Sequence, residues 1–234
     1  MESHENKEKD SILDSLCTWK EEKNCVECDI PENLLCRWDK KRVLKFYGIY
    51  MLFTVPAWYG LILIRYWGGK GALVLTYLAF SVVYFIFIEM LVLCSHCPYY
   101  NRKGKLLYCQ SSKHGMPKIW KYKPGPLNNI EKAVTIIGMI FFLGFPTIAI
   151  SIGLGVLWSS GILEIWQVAI ILVLDILTVI FGFNFIFRLK KSVCSQCINF
   201  SCPLNKVSKE IVDAYLRKNP VMKEAWEEAG YQLS

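Results

Sequence analysis

Long apolar runs alternate with polar segments along the chain. Four of these runs, residues 43–64, 71–93, 133–157 and 162–187, are almost wholly apolar. Each exceeds the roughly 20 residues that an α-helix needs to cross the hydrocarbon core of a bilayer. A soluble domain of 234 residues would not contain four such runs. The pattern therefore predicts an all-α, polytopic membrane protein with four transmembrane helices.

The polar segments divide the chain into five parts. A tail (1–42) precedes a first transmembrane hairpin (43–93), and a loop (94–132) separates it from a second hairpin (133–187) and a C-terminal segment (188–234). Apolar residues within 207–216 recur at helical spacing, and Pro220 begins a second short predicted helix. Because the first 42 residues are polar, the first apolar run begins too late for a signal peptide and is read as a retained helix.

Basic residues mark one side of the predicted bundle. Lys and Arg cluster before the first helix, in the 94–132 loop and after the fourth helix, whereas the first outer loop has only Arg65 and Lys70 and residues 158–161 have none. The positive-inside rule then predicts that both termini and the middle loop are cytoplasmic, in the cell (inner or plasma) membrane. The net charge of +7 fits contact with the anionic lipid bilayer and requires no nucleic-acid partner.

The two hairpins resemble each other in sequence. Gly48 and Pro56 match Gly138 and Pro146 at an offset of 90, and Phe-Ile-Phe at 85–87 matches the same residues at 185–187. Cys-Ser-His-Cys at 94–97 matches Cys-Ser-Gln-Cys at 194–197 at an offset of 100. The matches predict two parallel-repeat hairpins related by a pseudo-twofold axis along the membrane normal.

All ten cysteines fall in the segments predicted to be cytoplasmic. They are Cys17, Cys25, Cys28, Cys36, Cys94, Cys97, Cys109, Cys194, Cys197 and Cys202. Cytoplasmic thiols are normally reduced, so the positions favour metal or iron–sulfur ligation, or redox-active thiols, over structural disulfides. Nearby lysines such as Lys105 are expected to lower the pKa of the extra thiols Cys109 and Cys202 if they fold close.

Several ligand sets fit the cysteine spacing. In one, Cys94, Cys97, Cys194 and Cys197 share one centre; in another, each half uses its three cysteines and a fourth ligand, such as His96 or His114 in the first half. The four tail cysteines form a third possible site, or belong to a flexible tail. Spacing does not separate an iron–sulfur cluster from zinc, although proline after Cys97 and Cys202 favours a cluster.

Two acidic residues lie in the apolar runs. Asp175, at the middle of the fourth run, is either a proton or ion relay, or a polar headgroup site, or a neutral acid hydrogen-bonded between helices. Glu89 lies near the inner end of the second run, where we favour simple contact with the interface over a place beside a metal or quinone site. No apolar run contains histidine, which argues against haem b held between the helices.

Three functions fit these patterns, and the sequence does not decide whether the chain is an enzyme. The first is a cytoplasm-facing membrane redox protein with a thiolate-bound centre at the inner ends of the second and fourth helices. It would exchange electrons or thiols with a redox partner protein or a quinone. The alternatives are a non-enzymatic membrane subunit or assembly factor with structural zinc, and a heavy-metal ion carrier. Phosphate-binding loops, serine–histidine–aspartate sets and zinc-protease motifs are absent from the sequence.

Overall fold

The computed structural model describes residues 17, 28, 30, 34–69, 71–101, 104–109, 111 and 115–234. Predicted ligands Cys25 and His114 lie outside this part of the chain. Six α-helices are described: α1 (Lys40–Gly68), α2 (Ala72–Val83), α3 (Asn129–Ser159), α4 (Ile165–Arg188), α5 (Lys209–Arg217) and α6 (Pro220–Glu228). Two of them continue into π-helices, α2 through Tyr84–Leu93 and α4 through Leu189–Val193.

Four helical stretches are long and apolar enough to cross a membrane, which confirms the predicted number of spans. They are Lys40–Gly68, Ala72–His96, Asn129–Ser159 and Ile165–Val193. Helices α1 and α3 are longer than the apolar runs because polar caps extend them. The Asp39 side chain accepts a hydrogen bond from the Lys41 N–H at the start of α1, and Asn128 and Glu131 form a reciprocal capping box at the start of α3.

Helices α1 and α3 lie at the centre of the bundle. Helix α1 packs against α4, α3 packs against α2 and its π-helix, and α1 and α3 also contact each other. The close approach of α1 to α3 depends on glycine. A Cβ at Gly60 would lie 2.5 Å from Ile150 Cδ1, and one at Gly153 would lie 2.7 Å from Ile64 Cγ2. Small residues therefore let the two central helices approach closely.

The polar segments gather at one end of the bundle, where α1 and α3 begin and both π-helices end. Their buried core contains Tyr99, Leu107, Ile198, Tyr215 and Trp226, with Cys94, Cys97 and Cys109 among them. We call this assembly the cap; it consists of the described residues of 17–39, 94–128 and 194–234. Since α1 begins and α4 ends at the same side, the cap joins residues that are far apart in the sequence.

Two details of the cap bear on the sequence-based prediction. Helices α5 and α6 confirm the two short helices predicted after residue 206. The all-α prediction omitted a small antiparallel pair, in which Leu106–Leu107 pairs with Met116–Pro117. Two residues per strand are too few to give a recognisable alternation of polar and apolar positions.

Candidate functional site in the cysteine-rich cap

Both Cys-x2-Cys motifs are presented in the same way by the helices that precede them. A π-helix ends immediately before Cys94 and another ends immediately before Cys194. In each motif the serine after the first cysteine donates a hydrogen bond back to the helix, Ser95 Oγ to Leu91 O at 2.5 Å and Ser195 Oγ to Lys191 O at 2.7 Å. The two motifs thus share their local geometry as well as their sequence.

The six cysteines of the two membrane-attached sets are neighbours in the folded chain. Cys97 interacts electrostatically with Cys197, Cys109 and Cys202. Cys197 interacts in the same way with Cys194, Cys109 and Cys202, and Cys94 with Cys97, Cys109 and Cys197. The fold therefore brings thiols that are separated by about 100 residues within electrostatic range of one another, and a shared centre stays a prediction.

Three of the sulfur atoms accept hydrogen bonds from the backbone. The N–H of Tyr99 donates to the Cys97 thiol, and the N–H of Asn199 donates to Cys197 Sγ at 3.5 Å. Cys202 accepts from the N–H of Leu204, whereas the N–H of Asn205 donates to Cys202 O at 2.9 Å. Donors that lie two residues after a cysteine stabilise the thiolate form. Hydrogen bonds to sulfur also adjust the reduction potential of metal–thiolate centres.

Burial nevertheless outweighs these donors. It raises the pKa of Cys97 well above its usual range, and it raises the pKa of Cys194 and of Cys197 to about 12. Burial also raises the pKa of Cys202, so the expectation of a pKa lowered by nearby lysines is wrong for this residue. Without a metal these sulfur atoms are protonated thiols at neutral pH and poor nucleophiles.

The thiols are close together, but they do not converge on a single point. Among the described residues, no three His, Cys, Asp or Glu side chains are placed to hold one ion. No disulfide joins any two of the nine described cysteines. The donor set fits a thiolate-bound metal chemically, and its assignment as a metal site stays a prediction.

Three tail cysteines belong to the same assembly. Cys17, Cys28 and Cys36 pack against the core of the cap. The Cys17 N–H donates to Asn219 Oδ1 at 2.8 Å, and Lys218 Nζ lies 3.9 Å from Cys28 Sγ. These contacts hold described parts of the tail against α5 and the turn that follows it. The separate four-thiolate site in the tail stays a prediction, because Cys25 is outside the described residues.

His96 and Glu89 differ in their relation to the thiols. His96 Nδ1 lies 2.6 Å from Gly125 O, and its Nε2 lies 3.6 Å from Glu131 Oε1. These contacts direct the ring towards the start of α3, which favours an anchoring role over metal ligation. Glu89 interacts electrostatically with Cys202 and Cys94. This carboxylate is therefore within electrostatic range of the thiols, and simple contact with the interface stays the prediction for Glu89.

Asp175 lies away from the cap, in a small pocket between α3 and α4. Ser151 Oγ donates to Asp175 Oδ2 at 2.6 Å, and Asp175 Oδ1 is buried without a partner among the described residues. Leu154, Trp158 and Leu172 also line this pocket, and none of the described cap cysteines does. The contact supports an interhelical hydrogen bond, and the pocket has no cysteine with which to share a metal.

Sequence reasoning missed the asparagines that join the motifs. Asn199 Nδ2 donates to Leu93 O at 3.0 Å, which ties the second motif to the π-helix that precedes the first. Asn205 Nδ2 donates to Cys197 O at 2.7 Å. The placement of Asn199 two residues after a Cys-x2-Cys motif was a visible signal, but its partner is 106 residues away and no local pattern predicts it.

Comparison with family models, with curated proteins and with solved structures finds no match for this chain, so its function is argued from the cap itself.

Proposed function

We propose that this multi-pass membrane protein is a redox protein with a thiolate-bound centre in its cap. The observation that carries the proposal is the gathering of six thiols, four of them from two copies of one motif, with backbone N–H donors on Cys97, Cys197 and Cys202. Ordinary core cysteines need no such donors. A bound iron–sulfur cluster would supply one-electron chemistry at the end of the membrane bundle.

Duplication of a hairpin explains how the two motifs come together. At an offset of 90, Gly60 corresponds to Ile150, and a Cβ at Gly60 would touch that very side chain. Residues next to a twofold axis contact their own symmetry equivalents, so this contact supports a pseudo-twofold axis between α1 and α3. Packing of α1 on α4 and of α3 on α2 follows the same symmetry.

The charge distribution supports a cytoplasmic position for the cap. Lys40, Lys41, Arg42, Arg188 and Lys190 surround the membrane ends of α1 and α4 at the cap side. The opposite turn between α3 and α4 has no basic residue. The positive-inside rule then places both termini and the cap in the cytoplasm.

Electron transfer to a quinone or a redox partner protein fits the position of the thiols. Glu89 lies at the end of a membrane helix and interacts with Cys202, so a carboxylate links the interface to the thiols. A proton acceptor beside a redox centre at the membrane surface is the arrangement that quinone chemistry needs. Burial of the thiols disfavours direct thiol exchange, because an attacking sulfur must be accessible.

Structural zinc is the second candidate, and one observation favours it. Cys94, Cys97 and Cys109 lie within the hydrophobic core of the cap rather than at a surface from which electrons could leave directly. Zinc there would stabilise the cap and leave the chain a non-enzymatic membrane subunit or assembly factor. The heavy-metal carrier is not proposed, because Asp175 and the described cysteines share no cavity.

Metal analysis of protein purified without oxygen tests the proposal. An iron–sulfur protein is brown and contains iron and sulfide, whereas a zinc protein is colourless. Cys94→Ser and Cys194→Ser are each expected to lose nearly all of the metal if the centre is shared, and the double variant should lose little more. Losses of about half in each single variant would indicate two separate centres. Full-length protein without iron or zinc would refute both candidates.

Cys109→Ser and Cys202→Ser distinguish between the two possible ligand sets. A centre held by Cys94, Cys97, Cys194 and Cys197 keeps its metal in both variants, whereas two three-cysteine centres lose metal as severely as with the motif variants. Circular dichroism of each variant checks that the four helices are intact, so that metal loss is not confused with unfolding.

A further inference from the structure

A groove of about 770 Å³ lies between α1 and α4 at the cap end of the bundle. Part of its lining is apolar and includes Phe46, Ile49, Leu52 and Phe185. Its rim is basic and includes Arg42, Lys45 and Arg188. Arg42 and Leu52 are ten residues apart on one helix, which places Arg42 roughly 15 Å along the axis from Leu52.

The two arginines are oriented by neutral side chains. Arg42 Nη1 donates to Gln196 Oε1 at 2.9 Å, and Arg188 Nε donates to Asn184 Oδ1 at 3.0 Å. These bonds fix the guanidinium groups without cancelling their charge. Among the described residues, Asp39 is the acidic residue near this rim, 3.6 Å from Arg42 Nε, so three cations face one carboxylate and this part of the rim is net positive.

The other hairpin fills the corresponding space with its own side chains. Gly138 is the sequence equivalent of Gly48, and a Cβ there would lie 2.9 Å from Ile88 and 3.1 Å from Tyr84. Trp120 also covers that side, with its ring 6.0 Å from the ring of Phe87. At Gly48 a Cβ would meet nothing within 4 Å. One of two equivalent sites is thus closed by protein, and the other is left open to the lipid.

We propose that this groove is a binding site for an anionic phospholipid of the adjacent leaflet. The phosphate would lie among Arg42, Lys45 and Arg188, and an acyl chain would lie along Phe46, Ile49 and Leu52. Basic pockets between membrane helices recognise lipid headgroups in this way, and arginine suits phosphate because its N–H groups form paired hydrogen bonds. A neutral quinone headgroup would leave the net positive charge of the rim uncompensated. None of the described cysteines lines the groove.

The test uses the full chain in phosphatidylcholine vesicles that contain spin-labelled phosphatidylglycerol as the probe. The wild-type protein is expected to immobilise this lipid in preference to spin-labelled phosphatidylcholine. Arg42→Gln with Arg188→Gln should weaken that preference by about tenfold or more. The matched control is Lys190→Gln with Lys191→Gln, which removes the same charge at the same depth from residues that do not line the groove, and it should keep the preference.

A second variant distinguishes the contribution of the groove's shape from that of its charge. Gly48→Leu adds a side chain where nothing lies within 4 Å, so the fold has room for it while the groove becomes shallower. It should reduce phosphatidylglycerol binding with all basic residues intact. Equal losses in both charge-removal variants would overturn the proposal in favour of general surface attraction. Unchanged binding with Gly48→Leu, or displacement of the lipid by ubiquinone, would also overturn it.

Discussion

Single side chains hold polar groups in place both in the bundle and in the cap. Within the membrane, Ser151 satisfies one oxygen of Asp175 across two helices. In the cap, Asp213 is 1% exposed and accepts hydrogen bonds from Lys209 Nζ at 2.7 Å, from Tyr231 OH at 2.8 Å and from Ser234 N at 3.1 Å. Each acid is therefore hydrogen-bonded to a segment that is distant in sequence.

Loss of the Ser151 hydroxyl should destabilise the bundle. Ser151→Ala removes the donor to Asp175 and is expected to cost about 1 kcal/mol, measured by thermal unfolding in detergent. Ser159→Ala is the matched control, because that exposed hydroxyl bonds only to Val156 O on its own helix in the structure. Asp175→Asn should keep the fold, since an amide oxygen still accepts from Ser151. An equal effect of both serine variants would contradict the interhelical role.

Asp213 should make the stability of the cap depend on pH. Burial raises the pKa of this carboxyl, but hydrogen bonds from Lys209, Ser234 and Tyr231 outweigh burial and hold the pKa well below its usual range. A depressed pKa stabilises the fold above the unfolded value of about 3.9, and this stability is lost as the pH falls towards the folded value. Asp213→Asn should cost about 1.5–3 kcal/mol at neutral pH.

Unfolding measured between neutral pH and about pH 3 checks this sign. The stability of the wild-type protein should fall more steeply below about pH 4 than that of Asp213→Asn. Glu227→Gln removes an exposed carboxylate from α6 and should leave the wild-type profile unchanged. Parallel profiles for Asp213→Asn and the wild type would contradict the role assigned to Asp213.

The secondary-structure elements were the part of this fold that the sequence predicted best. The four spans and α5 and α6 follow from apolar runs, helical spacing and Pro220, which are local properties of the sequence. The π-helices before Cys94 and Cys194 were not predicted, because the shift from α to π hydrogen bonding changes no pattern in the residues themselves. The pairing of β1 (Leu106–Leu107) with β2 (Met116–Pro117) was missed for a different reason, because two residues per strand are too few to show an alternation of polar and apolar positions.

Packing of α1 against α3 should depend on Gly60. Gly60→Leu places atoms where Ile150 Cδ1 already lies 2.5 Å from the Cβ position, and overpacking of this kind costs about 1–3 kcal/mol. Gly144→Leu is the control on the partner helix, because its Cβ would meet nothing within 4 Å. Gly60→Leu with Ile150→Ala should recover part of the loss, since the second change makes room. Thermal unfolding of the wild type, of Gly60→Leu, of Ile150→Ala and of the double variant measures the coupling, and additive effects would contradict direct contact.

At the scale of the whole molecule, the orientation can be tested with new surface thiols. Native cap cysteines suit this poorly, because Cys94, Cys97 and Cys194 are buried. Ser159→Cys at the outer turn should react with an impermeant maleimide in intact cells. Glu228→Cys at the end of α6 should react only after permeabilisation, because the cap is predicted to be cytoplasmic. Labelling of Glu228→Cys alone in intact cells would reverse the orientation.

The assembly of the cap was only partly predictable from the sequence. Repeated Cys-x2-Cys motifs indicated that the two sets meet, and the electrostatic contacts of Cys97 with Cys197 and Cys202 agree with this. The partners of Asn199, Asn219 and Asp213 were beyond sequence reasoning, because each bond joins segments whose approach depends on the complete fold. Leu35 N to Gln196 O, at 2.7 Å, is another such contact.

The sequence separation within the cap imposes an order on its assembly in time. Cys94 and Cys97 leave the ribosome about 100 residues before Cys194 and Cys197, which corresponds to roughly 5–20 s of synthesis. During that interval the first hairpin is already in the bilayer, but the segment that buries its thiols has not yet been synthesised. Helix α6, which supplies Trp226 to the core of the cap, is made later still. The nascent chain therefore passes through a stage in which the cysteines of its first motif are accessible to oxidants and to free metal ions. This stage ends when the C-terminal segment has been synthesised and packs against them.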